Sequence, residues 1–514
     1  MSREAPDGFL VALDQGTTSS RAIVFDLSGK ALRSAARALP VSFPHDGWVE
    51  QNAEQILSTQ LEALREATSG LDARAIQAIG VTNQRETLIV WDRASGKPLA
   101  PAIVWQCRRS GEICDRFTRA GNGEMIRKKT GLVLDPYFSA TKLIWLVENI
   151  PGIHERLLDQ TAVCGTVDSW LVYHLTGGGT TGKFLTEPSN ASRTMWYSLE
   201  HGDWDNELLK MFSLQRENLA HIVASDGDFG TTNVLGHPVP IRGVLGDQQA
   251  ALFGNGCLSK LEAKCTFGTG AFLLVNMGEK RVRSSVGLVE TVAWRREQGL
   301  TQGESANCFA LEGSIFIAGA VVQWLRDKLG LISNAAESES VAASVPDTGG
   351  VVMVPAFVGL GAPYWDKDVR GSFVGLTRDT SRAHLVRACL EGVAHQVADL
   401  LEAPEFSALS SLRIDGGMSR NKLFCQILAD VTSREVTCSS ESEMTALGVA
   451  LMAGLGAGVF SSVEALSAIA GGSSTVAHRF TPQLALALQR EQRERWKLAI
   501  EQVRLGTPGK LIRQ

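Results

Sequence analysis

Phe9-Leu-Val-Ala-Leu-Asp14-Gln-Gly16-Thr17-Thr18-Ser19-Ser20-Arg21-Ala-Ile-Val-Phe25-Asp26 sets an apolar run, a carboxylate, one glycine, a row of hydroxyls and a second apolar run in succession. Two strands joined by such a turn form a hairpin whose tip presents backbone N–H groups and hydroxyls to an anion. Asp14, at the strand end, is placed to hold a metal ion or a metal-bound water over that anion. Nucleotide phosphates with Mg²⁺ fit this chemistry. Standing alone, the segment reads as an ordinary polar turn. A counterpart downstream raises it above that.

Ala263-Lys-Cys-Thr-Phe-Gly268-Thr269-Gly270-Ala-Phe-Leu-Leu-Val275-Asn again places a glycine–threonine turn between two segments rich in apolar residues. A third turn, Leu412-Arg-Ile-Asp415-Gly416-Gly417-Met418-Ser419-Arg420-Asn421, predicts a strand opening into a helix near Lys422. Paired glycines let backbone approach a ligand closely, and a helix start favours negative charge. Two hairpins, one in each half, predict a duplicated α/β fold that clamps a nucleotide between its halves.

At 514 residues the chain exceeds one comfortable core and divides into two domains. The boundary is expected near 254–258, where Phe253-Gly-Asn-Gly-Cys257 offers hinge-like glycines, giving units 1–254 and 255–514. A net charge of −5 makes no global case for nucleic acid or an anionic membrane as partner. Nine scattered cysteines without a Cys-x-x-Cys pair argue against a zinc cluster or a disulfide framework, and for a reducing compartment. Met1-Ser-Arg-Glu-Ala-Pro-Asp-Gly is too polar and acidic for a signal peptide, so a cytoplasmic location is expected. The uncharged stretch Met444–Val463 contains glycines, serines and a threonine and is flanked by glutamates; it reads as a buried helix and turn rather than a membrane span.

Strand-like runs at 9–13, 21–25, 76–82 and 87–91 alternate with a helical pattern at 53–67. Further helices are predicted over 108–120, 141–148, 314–329 and 384–401, with 333–350 as a helix-and-turn connector. A final helix is expected to start at Thr481-Pro482 and run toward Gly506. Gly177-Gly-Gly-Thr-Thr-Gly182-Lys183-Phe184 has P-loop spacing but ends in Phe184, which has no hydroxyl for Mg²⁺, and reads as a loop. Asn190-Ala-Ser192 matches a glycosylation sequon that stays idle in a cytoplasmic protein.

Two polar clusters follow apolar strands: Asn83-Gln84-Arg85-Glu86-Thr87 and Gly246-Asp247-Gln248-Gln249. Ligands of open α/β sheets bind beyond the carboxyl ends of strands, so both clusters point at one crevice. Asp247 could accept a proton from a hydroxyl there; a helix N-cap is its plainer alternative. For Arg85 and Glu86 the plainer alternative is a surface ion pair of little worth.

Across essentially its whole length the chain resembles the FGGY carbohydrate kinases of the actin-like ATPase superfamily. Tyr137-Phe-Ser139-Ala-Thr-Lys142-Leu-Ile-Trp145 is similar to that family's first characteristic segment. Gly371-Ser-Phe-Val-Gly375-Leu376, continuing through His384-Leu-Val-Arg-Ala388-Cys-Leu-Glu391, is similar to its second. Ala12–Arg21, Thr82–Thr87, Ile103–Arg109, Asp135–Phe138, Asn190–Met195 and Gly246–Phe253 resemble, in order, blocks of its glycerol-phosphorylating members. The resemblance implies two actin-like (ribonuclease H-like) domains with the active site in the cleft between them. It implies glycerol and ATP as substrates, Mg²⁺ as cofactor, and a homo-oligomer, dimer or tetramer. Arg85, Glu86, Tyr137, Asp247 and Gln248 would bind the polyol, with Trp105 and Phe272 as an apolar wall whose plainer role is core packing. Thr17, Thr18, Ser19, Arg21 and Thr269 would contact phosphate. Gly319, Gln323, Gly417 and Asn421 would complete the nucleotide site, and Asp14 would orient Mg²⁺ through water. Asp247 is then the general base for in-line phosphoryl transfer.

Two rivals stand beside this reading. A sibling kinase acting on a pentulose or tetritol needs a roomier pocket than Trp105 and Phe272 suggest. A catalytically dead regulator would not need Asp14, Asp247 and the phosphate-turn hydroxyls. Some bacterial relatives are inhibited by fructose 1,6-bisphosphate held on a glycine-rich loop carrying an arginine. The corresponding stretch, Asn233–Gly243, contains Pro238 and Pro240, few glycines and one arginine, Arg242, which predicts insensitivity.

Overall fold

The computed structural model describes residues 8–297, 307–439, 443–471 and 476–506. The opening segment read as too polar for a signal peptide lies, but for Gly8, outside them. Two sheets organise the chain. The first contains β1 (Phe9–Gln15), β2 (Ser19–Asp26), β3 (Ala31–Ala38), β4 (Ile76–Asn83), β5 (Thr231–Thr232) and β6 (Val239–Gly246), in the order β3-β2-β1-β4-β6-β5. The second contains β7 (Ala263–Phe267), β8 (Ala271–Gly278), β9 (Val289–Arg295), β10 (Asn307–Ile315), β11 (Ser411–Gly416), β12 (Glu435–Ser439) and β13 (Val476–Phe480), in the order β9-β10-β8-β7-β11-β12-β13.

The two sheets repeat one pattern. In the first, β3, β2 and β1 are antiparallel, β4 and β6 run parallel to β1, and β5 closes the edge antiparallel. In the second, β10, β8 and β7 are antiparallel, β11 and β12 run parallel to β7, and β13 closes the edge antiparallel. Strand β9 is an addition beyond β10. The duplicated α/β fold read from the two hairpins is present, and it is legible in topology rather than in residue-by-residue likeness.

Helix α1 (Ala53–Ala67) is capped by Asn52, whose side chain accepts from the N–H groups of Glu54 and Gln55. Helix α2 (Asp247–Gly254) follows β6 directly, and α3 (Gly319–Asp327) follows β10. Strand β10 extends through Ile315, so the helix predicted over 314–329 begins only at Gly319. The long helix predicted over 384–401 is α4 (Arg382–Leu401), and α5 (Lys422–Thr432) starts where the third turn placed it.

Met444–Gly456 forms α6, a buried helix; among the described residues no helix is long and apolar enough to cross a membrane. Its glycines serve close packing. A Cβ on Gly448 would lie 1.9 Å from the Ala250 carbonyl, and one on Gly254 would lie 1.9 Å from that of Met444. A Cβ on Gly80 of β4 would lie 2.4 Å from the Val449 carbonyl. Helix α6 therefore lies backbone to backbone on α2 and β4. The last helix, α7 (Leu486–Leu505), starts later than its proline signal suggested. Thr481–Leu484 is instead docked on α5: Gln426 Nε2 donates to the Thr481 carbonyl, and the Gln483 N–H donates to Asp430 Oδ1.

Gly177–Lys183 is a loop, as read. Asn190 of the sequon is buried and exchanges amide hydrogen bonds with Asn83. All nine cysteines are buried and free.

Candidate active site

Parallel pairing places Gln15, Asn83 and Gly246 side by side at the ends of β1, β4 and β6. The chain leaves each strand there, so Asp14, Arg85, Glu86 and Asp247 gather at one edge. Gly246 is the N-cap of α2 and Asp247 its first helical residue, so the N-cap alternative for Asp247 falls. A Cβ on Gly246 would lie 2.7 Å from Arg85 Cδ, so the glycine keeps space for that side chain.

Arg85 and Glu86 are no surface pair: they are 2% and 1% exposed. Arg85 Nη1 and Nη2 grip both oxygens of Glu312 at 2.5 and 3.1 Å. Its Nε lies 3.2 Å from Asp247 Oδ1 without hydrogen-bond alignment. Arg193 completes the cluster, Nε donating to Glu86 Oε1 at 2.7 Å and Nη2 to Glu312 Oε1 at 2.8 Å. Glu86 takes a left-handed backbone (φ 59°), which a non-glycine residue adopts only where its surroundings hold it. Its carbonyl accepts from Ser139 Oγ, and its carboxylate accepts from Arg193.

Burial alone would protonate Glu312, but Arg193 and Arg85 overcome it and bring its pKa down to about 2. Asp247 goes the other way. Desolvation, with Glu86 adding to it, outweighs Arg85 and Lys264 and lifts its pKa to about 6. The Asp247 side chain keeps 30% of its surface open, unlike those of Arg85, Glu86, Arg193 and Glu312. That combination, a partly exposed carboxylate near neutrality beside a buried arginine, suits a general base.

An aromatic corner borders this cluster. The Trp105 ring meets those of Tyr137 and Phe272 edge-on, with centroids 5.7 and 6.0 Å apart. Trp105 Nε1 donates to Thr17 Oγ1 at 2.9 Å, which joins the wall to the first hairpin. Burial raises the Tyr137 phenol well above its usual pKa, so it stays a neutral hydroxyl. Buried Lys142 pins the turn that carries Tyr137 through the carbonyls of Pro136, Tyr137 and Phe138.

The first hairpin is closed by the Gly16 N–H donating to the Ser19 carbonyl. Thr18 and Ser19 hydroxyls meet no protein partner among the described residues. Arg21 pairs with Asp14 and with Glu443 at the start of α6. Asp14 Oδ2 takes both Arg21 bonds, while Oδ1 accepts none among the described residues. One carboxylate oxygen held ready beside free hydroxyls fits Mg²⁺, which keeps most of its waters and leans on substrate phosphates.

Thr269, Gly319, Gln323, Gly417 and Asn421 line one cavity of about 610 Å³ under the second hairpin. The first N–H groups of α3 are taken by hairpin carbonyls: Gly319 donates to Gly268, and Ala320 to Thr269. Gly417 faces open space, so its bare backbone leaves the cavity floor clear. Asn421 is also the cap of α5, accepting from the Phe424 N–H while its Nδ2 donates to Ser338 Oγ. Sequence reasoning missed Arg193, Glu312 and Lys264. Arg193 and Lys264 lay inside quoted segments, Glu312 in none; Lys264 and Glu312 both lie within strands, where no local pattern marks a charge as functional.

Two topologically matched sheets, each with its own hairpin, are the actin-like two-domain ATPase fold. Residues 9–254 match the FGGY family of carbohydrate kinases, N-terminal domain, and residues 263–457 match its C-terminal domain. The chain belongs to the FGGY family of carbohydrate kinases. The glycerol kinase of Aromatoleum aromaticum is 47% identical over 503 residues, covering 96% of this chain and 99% of that one. The glycerol kinase of Thermus brockianus is 47% identical over 504 residues, covering 96% and 98%. The crystal structure of Plasmodium falciparum glycerol kinase with ADP matches with a TM-score of 0.88 at 34% identity, covering 98% of this chain and 99% of that one.

Proposed function

We propose that this chain transfers the γ-phosphoryl group of ATP to glycerol, giving sn-glycerol 3-phosphate, with Asp247 as general base. The observation that carries the reading is Asp247 itself: partly open to the cleft, raised to about 6, and flanked by Arg85. Near-full-length likeness to glycerol kinases supports the substrate pair.

Arg85, Glu86, Tyr137 and Gln248 would hydrogen-bond the hydroxyls, while Trp105 and Phe272 would cover the C–H side. In a loose transition state the attacking hydroxyl keeps its proton until late, so a carboxylate of moderate basicity suffices and positioning dominates. Thr17, Thr18, Ser19, Arg21 and Thr269 would hold phosphate, and the cavity at Gly319, Gln323, Gly417 and Asn421 would take the nucleoside. Asp14 would hold Mg²⁺ through water. Bound there, the ion would neutralise charge on the β- and γ-phosphoryl oxygens. Closure of units 1–254 and 255–514 on each other would exclude water as a competing acceptor. A cytoplasmic homo-oligomer, dimer or tetramer, belongs to the same reading.

A coupled ADP-release assay across glycerol, dihydroxyacetone, xylulose and gluconate tests it. Glycerol is expected to give the highest kcat/KM; preference for xylulose or gluconate would overturn the assignment.

A further inference from the structure

Lys264 is fully buried on β7, the strand that leads into the second hairpin tip. Arg85 and Arg193 meet carboxylates directly. Lys264 meets none within 4 Å among the described residues. Its Nζ instead donates to three neutral oxygens: Gln248 Oε1 at 2.5 Å, Thr266 Oγ1 at 2.9 Å and the Phe272 carbonyl at 3.2 Å. Burial lowers its pKa from the ordinary lysine value, while Asp415 and Asp247 favour its charge from further away. An ammonium has three donors and no acceptor, so the amide of Gln248 must turn its oxygen toward Lys264. The Gln248 Nε2 group then points the other way, and it donates to no protein group among the described residues. Asp247, the preceding residue, would accept; Gln248 would donate.

We propose that Lys264 is a positioning residue that fixes the Gln248 amide with its NH₂ group toward the polyol, so that the site offers a hydroxyl oxygen a donor beside the accepting carboxylate of Asp247. This rests on the assignment of Gln248 to the polyol site. Replacement of Lys264 frees the amide to rotate, and a flipped amide presents its acceptor where a donor is needed.

Steady-state kinetics on Lys264→Met, Gln248→Leu and the double variant, with melting temperatures, test the idea. Lys264→Met should raise KM for glycerol about tenfold or more and leave KM for ATP within about twofold, since a misdirected hydrogen bond costs about that much. The double variant should be no worse than Gln248→Leu alone, because Lys264 acts through that amide. Lys264→Gln, which keeps an N–H donor near the same oxygen, should recover part of the loss. Gln248→Glu supplies an independent arm: it gives Lys264 a direct carboxylate and should raise the melting temperature while raising KM for glycerol. Multiplying effects in the double variant, equal losses for ATP and glycerol, or no rise in melting temperature for Gln248→Glu would overturn the proposal. An unchanged KM for glycerol in Gln248→Leu would instead remove Gln248 from the polyol site, a failure of the underlying assignment.

Discussion

Under the proposed assignment, the two sides of the site would recognise by opposite means. On the proposed polyol side, side chains would do the work, and each is locked by another side chain: Arg85 by Glu312, Glu86 by Arg193, Gln248 by Lys264. On the nucleotide side, backbone and empty space do it: hairpin carbonyls seat α3, and Gly417 leaves room. A small polyol has few atoms, so selectivity must come from fixed, desolvated donors and acceptors whose misplacement is costly. A nucleotide has a large surface, which shape and N–H groups can hold with few committed side chains.

The sharpest way to break this comparison is Asp247→Asn. It should lower kcat by about three orders of magnitude, within the range for loss of a general base, while nucleotide affinity is retained. Near-normal turnover in that variant would make Asp247 a structural residue.

Arg85→Ala should cost about ten- to a hundredfold in glycerol affinity, with ATP affinity largely intact, read by calorimetry or KM. Glu312→Ala removes the shared anchor of Arg85 and Arg193. It should destabilise the fold by about 3–5 kcal/mol in denaturant melts, since buried cations are left unpaired. If the polyol side relied on shape alone, neither loss would appear.

Gly417→Val probes the other side. A Cβ there meets nothing within 4 Å and projects into the cavity, so the fold should melt as before. Nucleotide affinity should fall about tenfold by displacement of a nucleotide fluorophore, one well-placed contact being worth about 1.4 kcal/mol. A parallel loss of glycerol affinity would show that the two sides are not independent.

The pH profile gives a further test. Asp247 must be ionised to accept a proton, and its pKa is raised to about 6, so kcat/KM should be flat above pH 7 and fall as pH drops through 6. At pH 5 the loss should be about tenfold, with a one-proton slope. The smallest expected effect is none: fructose 1,6-bisphosphate titrated into the glycerol assay should leave the rate unchanged. The turn between β5 and β6 carries Pro238, and Arg242 lies 3.3 Å from Asp228. Inhibition not competitive with ATP would place an anion site elsewhere.

Sequence alone determined the two hairpins, the strand ends that carry Arg85 and Asp247, and the glycine turn at Gly416–Gly417. These features are local: a turn needs its glycine, and a strand end shows as an apolar run that stops. Local signals also misled, at the start of the 314–329 helix and at Thr481-Pro482, where a sheet and a docking contact on Asp430 overrode propensity. Only tertiary structure decided what holds the site. Glu312 and Lys264 come from the second sheet to residues of the first half, 227 positions from Arg85 in one case and 16 from Gln248 in the other. A charge inside a strand looks like an error of patterning until its partner is seen, because the pairing that makes its burial affordable depends on how two sheets meet across α2 and α6.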